Sequence, residues 1–380
     1  MKIAALFVGA CIAVAASGAM ADPGKPLDTD KLKTTNVYIL IPQDQTFIEA
    51  VTGPRVQVIP VGPDALSLEP DALVSSIIAD AIIDAGAVSA AQTPAYPLHY
   101  WLDGYDMRPV LQDGADAAIK SLGRLHPLRT AMFKDADTGH AQLESMNAGA
   151  DSILTVQLYY SMTPDYRGVV LAALVKIYSS ALSPDKYSPY DPDSKYRWLK
   201  QTVARRTCLY QSKLIDLPAK TPEVVAQMTV AADKEFDAAK LKKEMAAVNA
   251  DPYGNIYSLS DRSAVHSRAT RYDALMKGIQ APGWTGPDAR LMMSLLWSAG
   301  DGAPYKQALQ QAAAALGSLI DRSLGALPAD ASVVAKDSNG KPLFYQVTGD
   351  PERKILIAPG AAVVSMAKDD PVDIGNIFTE

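Results

Sequence analysis

Residues 152–180 read SILTVQLYYSMTPDYRGVVLAALVKIYSS, two β-branched and aromatic runs around a short polar loop, and this stretch limits the fold most tightly. Its period-two patterning predicts a β-hairpin. With the loop at 162–167 and Ser161 opposite Gly168, Leu154, Val156, Leu158 and Tyr160 meet Val175, Ala173, Leu171 and Val169. That face is apolar throughout. The other face pairs Ile153 with Lys176, Thr155 with Leu174, Gln157 with Ala172 and Tyr159 with Val170, and is mixed. A membrane barrel calls for a polar lumen face and many strands of like pattern, which this chain does not supply. The pattern favours two central strands of a sheet covered strongly on one face and partly on the other. Pairing with other copies is the minority alternative.

Around the hairpin, NVYILIPQ (36–43) reads as a buried first strand and RVQVIPVG (55–62) as a short strand near an edge, because proline cannot donate to the ladder. EPDALVSSIIADAIIDAGA places Pro70 in a first helical turn and Leu73, Val74, Ile77, Ile78, Ala81 and Ile82 on one face, with Gly86 as the stop. Shorter helices are expected over 114–122 and 141–147. From 220 the texture becomes helical. TPEVVAQMTVAADKEFDAAKLKKEMAAVNADP predicts one long helix from the Thr221 cap to Asp251-Pro252. Further helices are expected over 261–280, 286–300 and the stripe Leu309, Ala313, Leu316, Ile320 and Leu324. In the tail, Asn339-Gly340 between short apolar runs is a hairpin cue, and KILIAPGAAVVSM adds one or two strands. The expected class is α/β, with α+β as the alternative: a mixed-sheet domain (22–219), a helical region (220–330) and a small C-terminal β-hairpin element with its tail (331–380).

The amino terminus, MKIAALFVGACIAVAASGAMADPGK, has a cation at Lys2, an apolar stretch and small residues before Asp22. It reads as a secretory signal peptide over 1–21, cleaved between Ala21 and Asp22. Its apolar run of roughly 14 residues is short of the ~20 that span a bilayer. Lipidation at Cys11 is the weaker alternative. The expected location is therefore the periplasm, with no transmembrane span after cleavage. A net charge of −6 gives no reason to expect a nucleic-acid partner. Once Cys11 leaves with the leader, only Cys208 remains, so stability must come from burial, which a chain of 48% hydrophobic content can supply.

In NVYILIP, the helix over 70–86 and the passage GADSILTVQLYY, the first half resembles periplasmic α/β envelope domains of the TolB amino-terminal and curli-secretion lipoprotein type. The resemblance extends over 36–217. It implies an envelope-associated binding or assembly role without catalysis, and it transfers no functional residue. The lack of a convincing lipid-accepting cysteine departs from the lipoprotein members.

Catalytic constellations are sparse. Ser365-Met366-Ala367-Lys368 and Ser183-Pro184-Asp185-Lys186 match S-x-x-K without its companion motifs. His99, His126, His140 and His266 do not pair at metal-ligand spacing. The calcium-loop-like Asp135-Ala136-Asp137 is followed by His140, where the turn needs glycine, and by Met146, where a glutamate belongs. No metal, cofactor or catalytic residue is assigned. Two aromatic stretches remain as a candidate ligand or partner surface: Tyr100, Trp101, Asp103, Tyr105 and Asp106 in the first, Tyr190, Asp191, Asp193 and Trp198 in the second. Rings beside carboxylates suit a sugar or a peptide. The leading functional expectation is a non-enzymatic envelope assembly or interaction factor with a protein partner or self-association. A periplasmic glycan- or peptide-binding protein comes second, and a hydrolase with a site assembled from distant segments third.

Overall fold

The computed structural model describes residues 26–41, 106–133, 150–163, 166–179, 182, 202–251, 257–336, 342–348, 350–359 and 362–370. The fold is α/β. Its described strands are β1 (Thr35–Leu40), β2 (Pro127–Phe133), β3 (Ser152–Met162), β4 (Val169–Ser179), β5 (Thr202–Gln211), β6 (Ser332–Lys336), β7 (Pro342–Val347), β8 (Arg353–Ala358) and β9 (Ala362–Ala367). They form one mixed sheet in the order β2-β1-β3-β4-β5-β9-β8-β7-β6. β1 lies parallel to both β2 and β3, and the β1–β3 pairing is pinned at its start by Thr34, whose N–H and hydroxyl donate to Asp151 Oδ2 at 3.0 and 3.1 Å.

The β3–β4 hairpin forms with the expected apolar face inward, but in a register two residues away from the expected one. Leu154 faces Ile177, Val156 faces Val175, Leu158 faces Ala173, Tyr160 faces Leu171 and Met162 faces Val169. A slip of two residues keeps every side chain on its own face, so face patterning cannot detect it. The turn decides instead. The Thr163 N–H donates to Gly168 O and the Gly168 N–H to Thr163 Oγ1, both at 2.8 Å, which places Gly168 in the turn instead of the ladder. A Cβ on Gly168 would lie 2.8 Å from Leu214 Cδ2, so a larger residue there would have to push the Leu214 side chain aside.

The helices are α1 (Arg108–Lys120), α2 (Pro222–Phe236), α3 (Ala238–Ala250), α4 (Leu259–Gln280) and α5 (Gly286–Leu324). α1 begins well before the expected 114, because Pro109 occupies its first turn. The single long helix expected from Thr221 to Asp251 is two helices. Asp237 adopts φ 45° between them, ending α2 and accepting from the Lys240 N–H to start α3. Aspartate tolerates this left-handed geometry and caps well, which makes the break cheap. α5 is also bent, through consecutive left-handed residues Gly300, Asp301 and Gly302, with Pro304 opening its second half.

That second half of α5 and α1 cover one face of the sheet. They cross closely: Cβ atoms added at Gly114 and Gly317 would lie 2.7 Å from Ala313 Cβ and 2.5 Å from Ala118 O. Beneath them Leu111, Ile119, Leu309, Leu316 and Ile320 join Val37, Leu154, Leu158, Leu171, Cys208 and Val363 in one core. On the opposite face Leu209, Phe344, Leu356, Val364 and Met366 form a smaller one. The C-terminal β element is continuous with the first sheet, since β9 lies parallel beside β5 through Thr207–Ala362 to Tyr210–Ser365. β6 and β7 pair antiparallel, as the Asn339-Gly340 cue implies, and the turn itself falls outside the described residues.

α2, α3, α4 and the first half of α5 form a helical array with its own core of Met228, Ala232, Phe236, Leu241, Leu275, Ile279, Leu291 and Met292. Leu217 and Leu296 border both this core and the sheet core. No helix among the described residues is long and apolar enough to cross a membrane. The leader over 1–21, the strand over 55–62 and the helices over 70–86 and 141–147 lie outside the described residues.

Candidate functional site

The described residues concentrate buried charge where the chain leaves β5, runs through 212–221 and enters the helical array. Lys220 is the hub. Its ammonium donates to Asp288 Oδ2 at 2.6 Å, Gly278 O at 2.7 Å and Gly283 O at 3.0 Å, using all three protons. The two charged side chains are 5% and 0% exposed. The second Asp288 oxygen accepts from the Thr285 N–H at 2.7 Å and from the Thr285 hydroxyl, closing a capping box on α5. Trp284 completes the enclosure. Its ring lies 5.0 Å from the Lys220 Nζ and its indole N–H donates to Pro218 O at 3.1 Å. A buried ion pair repays its desolvation only when its remaining hydrogen-bonding capacity is filled, and here it is.

On the sheet side of the same junction, the β3–β4 turn is clasped between the 212–217 segment and α5. The Arg167 Nε donates to Ile215 O at 2.9 Å while its terminal nitrogen reaches Asp216 at 2.7 Å. Ser212 Oγ accepts from the Val169 N–H at 2.9 Å. Across the turn, Trp297 donates its indole N–H to Tyr166 O at 2.6 Å and meets the Tyr305 ring edge-on. Burial pushes the Tyr166 phenol up to about 12 against the lowering field of Arg290.

A second polar cluster fastens β8 and β9 to β5. Arg353 stacks 4.0 Å from the Tyr210 ring centroid and donates to Ser365 Oγ at 2.7 Å, Tyr210 OH at 3.2 Å and Gln211 O at 2.6 Å. Burial lowers the Arg353 pKa and raises those of Tyr210 and the neighbouring Asp370. Both clusters escaped sequence reasoning, because their members are separated by tens to more than a hundred residues; Lys220 immediately before the Thr-Pro helix start was the sole local hint.

Of the nine expected surface residues, Asp106 alone is described. Its carboxylate is gripped by the Arg108 guanidinium at 2.7–3.0 Å and accepts the Arg108 N–H at 2.9 Å, holding the start of α1. Tyr100, Trp101, Asp103, Tyr105, Tyr190, Asp191, Asp193 and Trp198 lie outside the described residues, as do His99, His140 and the Ser183 motif. Ser365 sits on β9, where a spacing of three sends Lys368 to the opposite side, and its hydroxyl accepts from Arg353. The S-x-x-K spacing has no helical meaning there. His126 and His266 are exposed. Cys208 is wholly buried, and burial drives its thiol up to about 12, far from a reactive thiolate. Among the described residues no three His, Cys, Asp or Glu side chains assemble as metal ligands.

The chain matches no protein-family model, no curated protein and no solved structure. The site therefore rests on its own geometry.

Proposed function

We propose that this is an exported protein of the bacterial envelope that works by binding another protein through its helical array. The observation that carries the reading is the array itself: a helical unit with its own core, closed by the buried Lys220–Asp288 pair where the chain from β5 enters it. Its outer surface presents Val230 on α2, 68% exposed, and Leu259 at the start of α4, 85% exposed. Apolar side chains of this size on charged helices suit the centre of a protein interface, where aliphatic groups are desolvated inside a polar rim. The leader read over 1–21 and the resemblance of 36–217 to envelope domains support a periplasmic partner.

The test is affinity capture of the tagged mature chain from gently solubilised native envelopes, with mass spectrometry of the eluate. A stoichiometric partner that is lost from Val230→Asp/Leu259→Asp, a variant that retains its circular-dichroism spectrum, is the expected result. A partner-free monomer overturns the reading and turns attention to small ligands, followed by the fluorescence of Trp101 and Trp198.

A further inference from the structure

The seam between the sheet and the helical array contains two hydrogen-bond donors that the protein leaves unused. Tyr166 is 1% exposed, yet its phenol oxygen has no hydrogen-bond partner. Buried polar groups are nearly always satisfied, so such an orphan points to something that can complete it. Its backbone is also unusual. Tyr166 adopts φ 59°, a left-handed conformation that a bulky residue rarely takes. It is held there by its own N–H donating to Thr163 O at 2.8 Å and by the Trp297 indole on its carbonyl. Strain of this kind persists where the surroundings enforce it, and it concentrates at binding sites.

The second donor is Arg290. It lies seven residues before Trp297, two turns earlier on the same side of α5, in line with the buried Met293, Ser294 and Trp297. That side faces the sheet. Among the described residues Arg290 has no hydrogen-bond or ion-pair partner, and its positive field lowers the Tyr166 phenol against the effect of burial. A guanidinium has five donors and no acceptor, so what suits this pair is a planar anion with two oxygens. The nearby Arg167 is already committed to Asp216 and Ile215 O.

We propose that Tyr166 and Arg290 form a receptor for a single carboxylate carried by a ligand. The Arg290 fork grips both oxygens, and the phenol donates to one of them from the buried side. One free guanidinium balances one negative charge. A phosphate dianion carries more charge than the single guanidinium beside the phenol balances. Arg290 is only partly buried and forms the entrance, with the phenol behind it. The left-handed residues Gly300, Asp301 and Gly302, just past Trp297, supply the pivot about which the first half of α5 can yield to admit the group. This inference does not depend on the partner surface at Val230 and Leu259.

The experiment is isothermal titration of the full mature chain with sodium acetate, sodium glutamate and inorganic phosphate at constant ionic strength, accompanied by thermal melts. The expected result is saturable binding and a raised Tm with both carboxylates and not with phosphate. Arg290→Gln should weaken binding at least tenfold, Arg290→Lys should restore part of it, and Tyr166→Phe should weaken it several-fold while leaving the ligand-free fold intact. Equal responses from wild type and Arg290→Gln overturn the proposal, as does phosphate binding as well as acetate does. A Tyr166→Phe variant that binds carboxylate undiminished reduces the phenol to an unsatisfied group and overturns the proposal as well. If Arg290→Gln fails to fold, Arg290→Lys and Tyr166→Phe carry the same comparison.

Discussion

Five successive pairs on one face of β3 and β4, from Leu154–Ile177 to Met162–Val169, are apolar on both sides, whereas the helical array closes on the buried ion pair of Lys220 and Asp288. The contrast concerns specificity. An apolar sheet face tolerates a neighbouring hydrophobic arrangement, which is how a two-residue change of register goes unpunished by patterning. A buried pair accepts only one geometry, because each charge needs the other and the Gly278 and Gly283 carbonyls besides. The array is therefore positioned sharply by few contacts. The sheet is held diffusely by many.

Removing one charge should expose this difference most strongly. Asp288→Ala leaves the Lys220 ammonium buried without its counter-ion and should cost about 3–5 kcal/mol. Hydrogen exchange should show protection lost first over 222–280, while the β3–β4 amides keep theirs. A simultaneous Lys220→Met and Asp288→Leu exchange should recover much of the loss, and a double variant as unstable as the single one would show that the pair contributes more than charge balance. Next comes Leu158→Ala, under the covering helices, where a lost side chain leaves a cavity worth about 2–5 kcal/mol. Urea unfolding should here report one global loss shared by sheet and array, and early loss of the array would break the contrast.

A smaller effect is expected at the joint between α2 and α3. Asp237→Ala removes a cap worth about 1 kcal/mol and places a Cβ residue without a local acceptor at φ 45°, so the total should be about 1–2 kcal/mol. Asp237→Gly should cost less, and thermal melts of the two variants give the order. The smallest effect is electrostatic. Burial pushes Glu235 on α2 up to about 7, against the lowering influence of Lys234. A folded pKa above the unfolded one means that the native state holds the extra proton between roughly pH 4.5 and 7, so stability falls as pH rises through that window. Glu235→Gln should raise Tm at pH 8 and leave it unchanged at pH 4. The same Tm increment at both pH values would remove proton linkage as the cause.

The sheet was legible where alternation and turn chemistry were local: β1, the β3–β4 hairpin, β6 and β7 around Asn339-Gly340, and the paired strands of the tail. β5 escaped notice because TVARRTCLYQ carries Arg205 and Arg206 in its middle. Arg206 lies on the core side and is tolerated there because its Nε donates to Ser323 O at 3.0 Å near the end of α5, a partner distant in sequence. The helix break at Asp237 was legible in principle, since an aspartate before Ala-Ala-Lys is a start signal, but the continuous stripe from Val225 to Ala239 concealed it. The candidate site was the least legible. Its residues lie far apart in sequence: Lys220 finds Asp288 only once the array is built, and Arg290 acts on Tyr166 only once the array is laid on the sheet.

The strand order carries a consequence for synthesis. β5 completes its ladder with β9, so from Gln211 to Ala362 the growing chain holds one edge of a five-stranded sheet open while the whole helical array is made. An uncovered strand of this kind is a template for pairing with other chains, and non-local closure of this kind is slow. A polypeptide built in this order exposes that edge until its last hairpin arrives, so the order of synthesis itself sets how long it can pair with its neighbours.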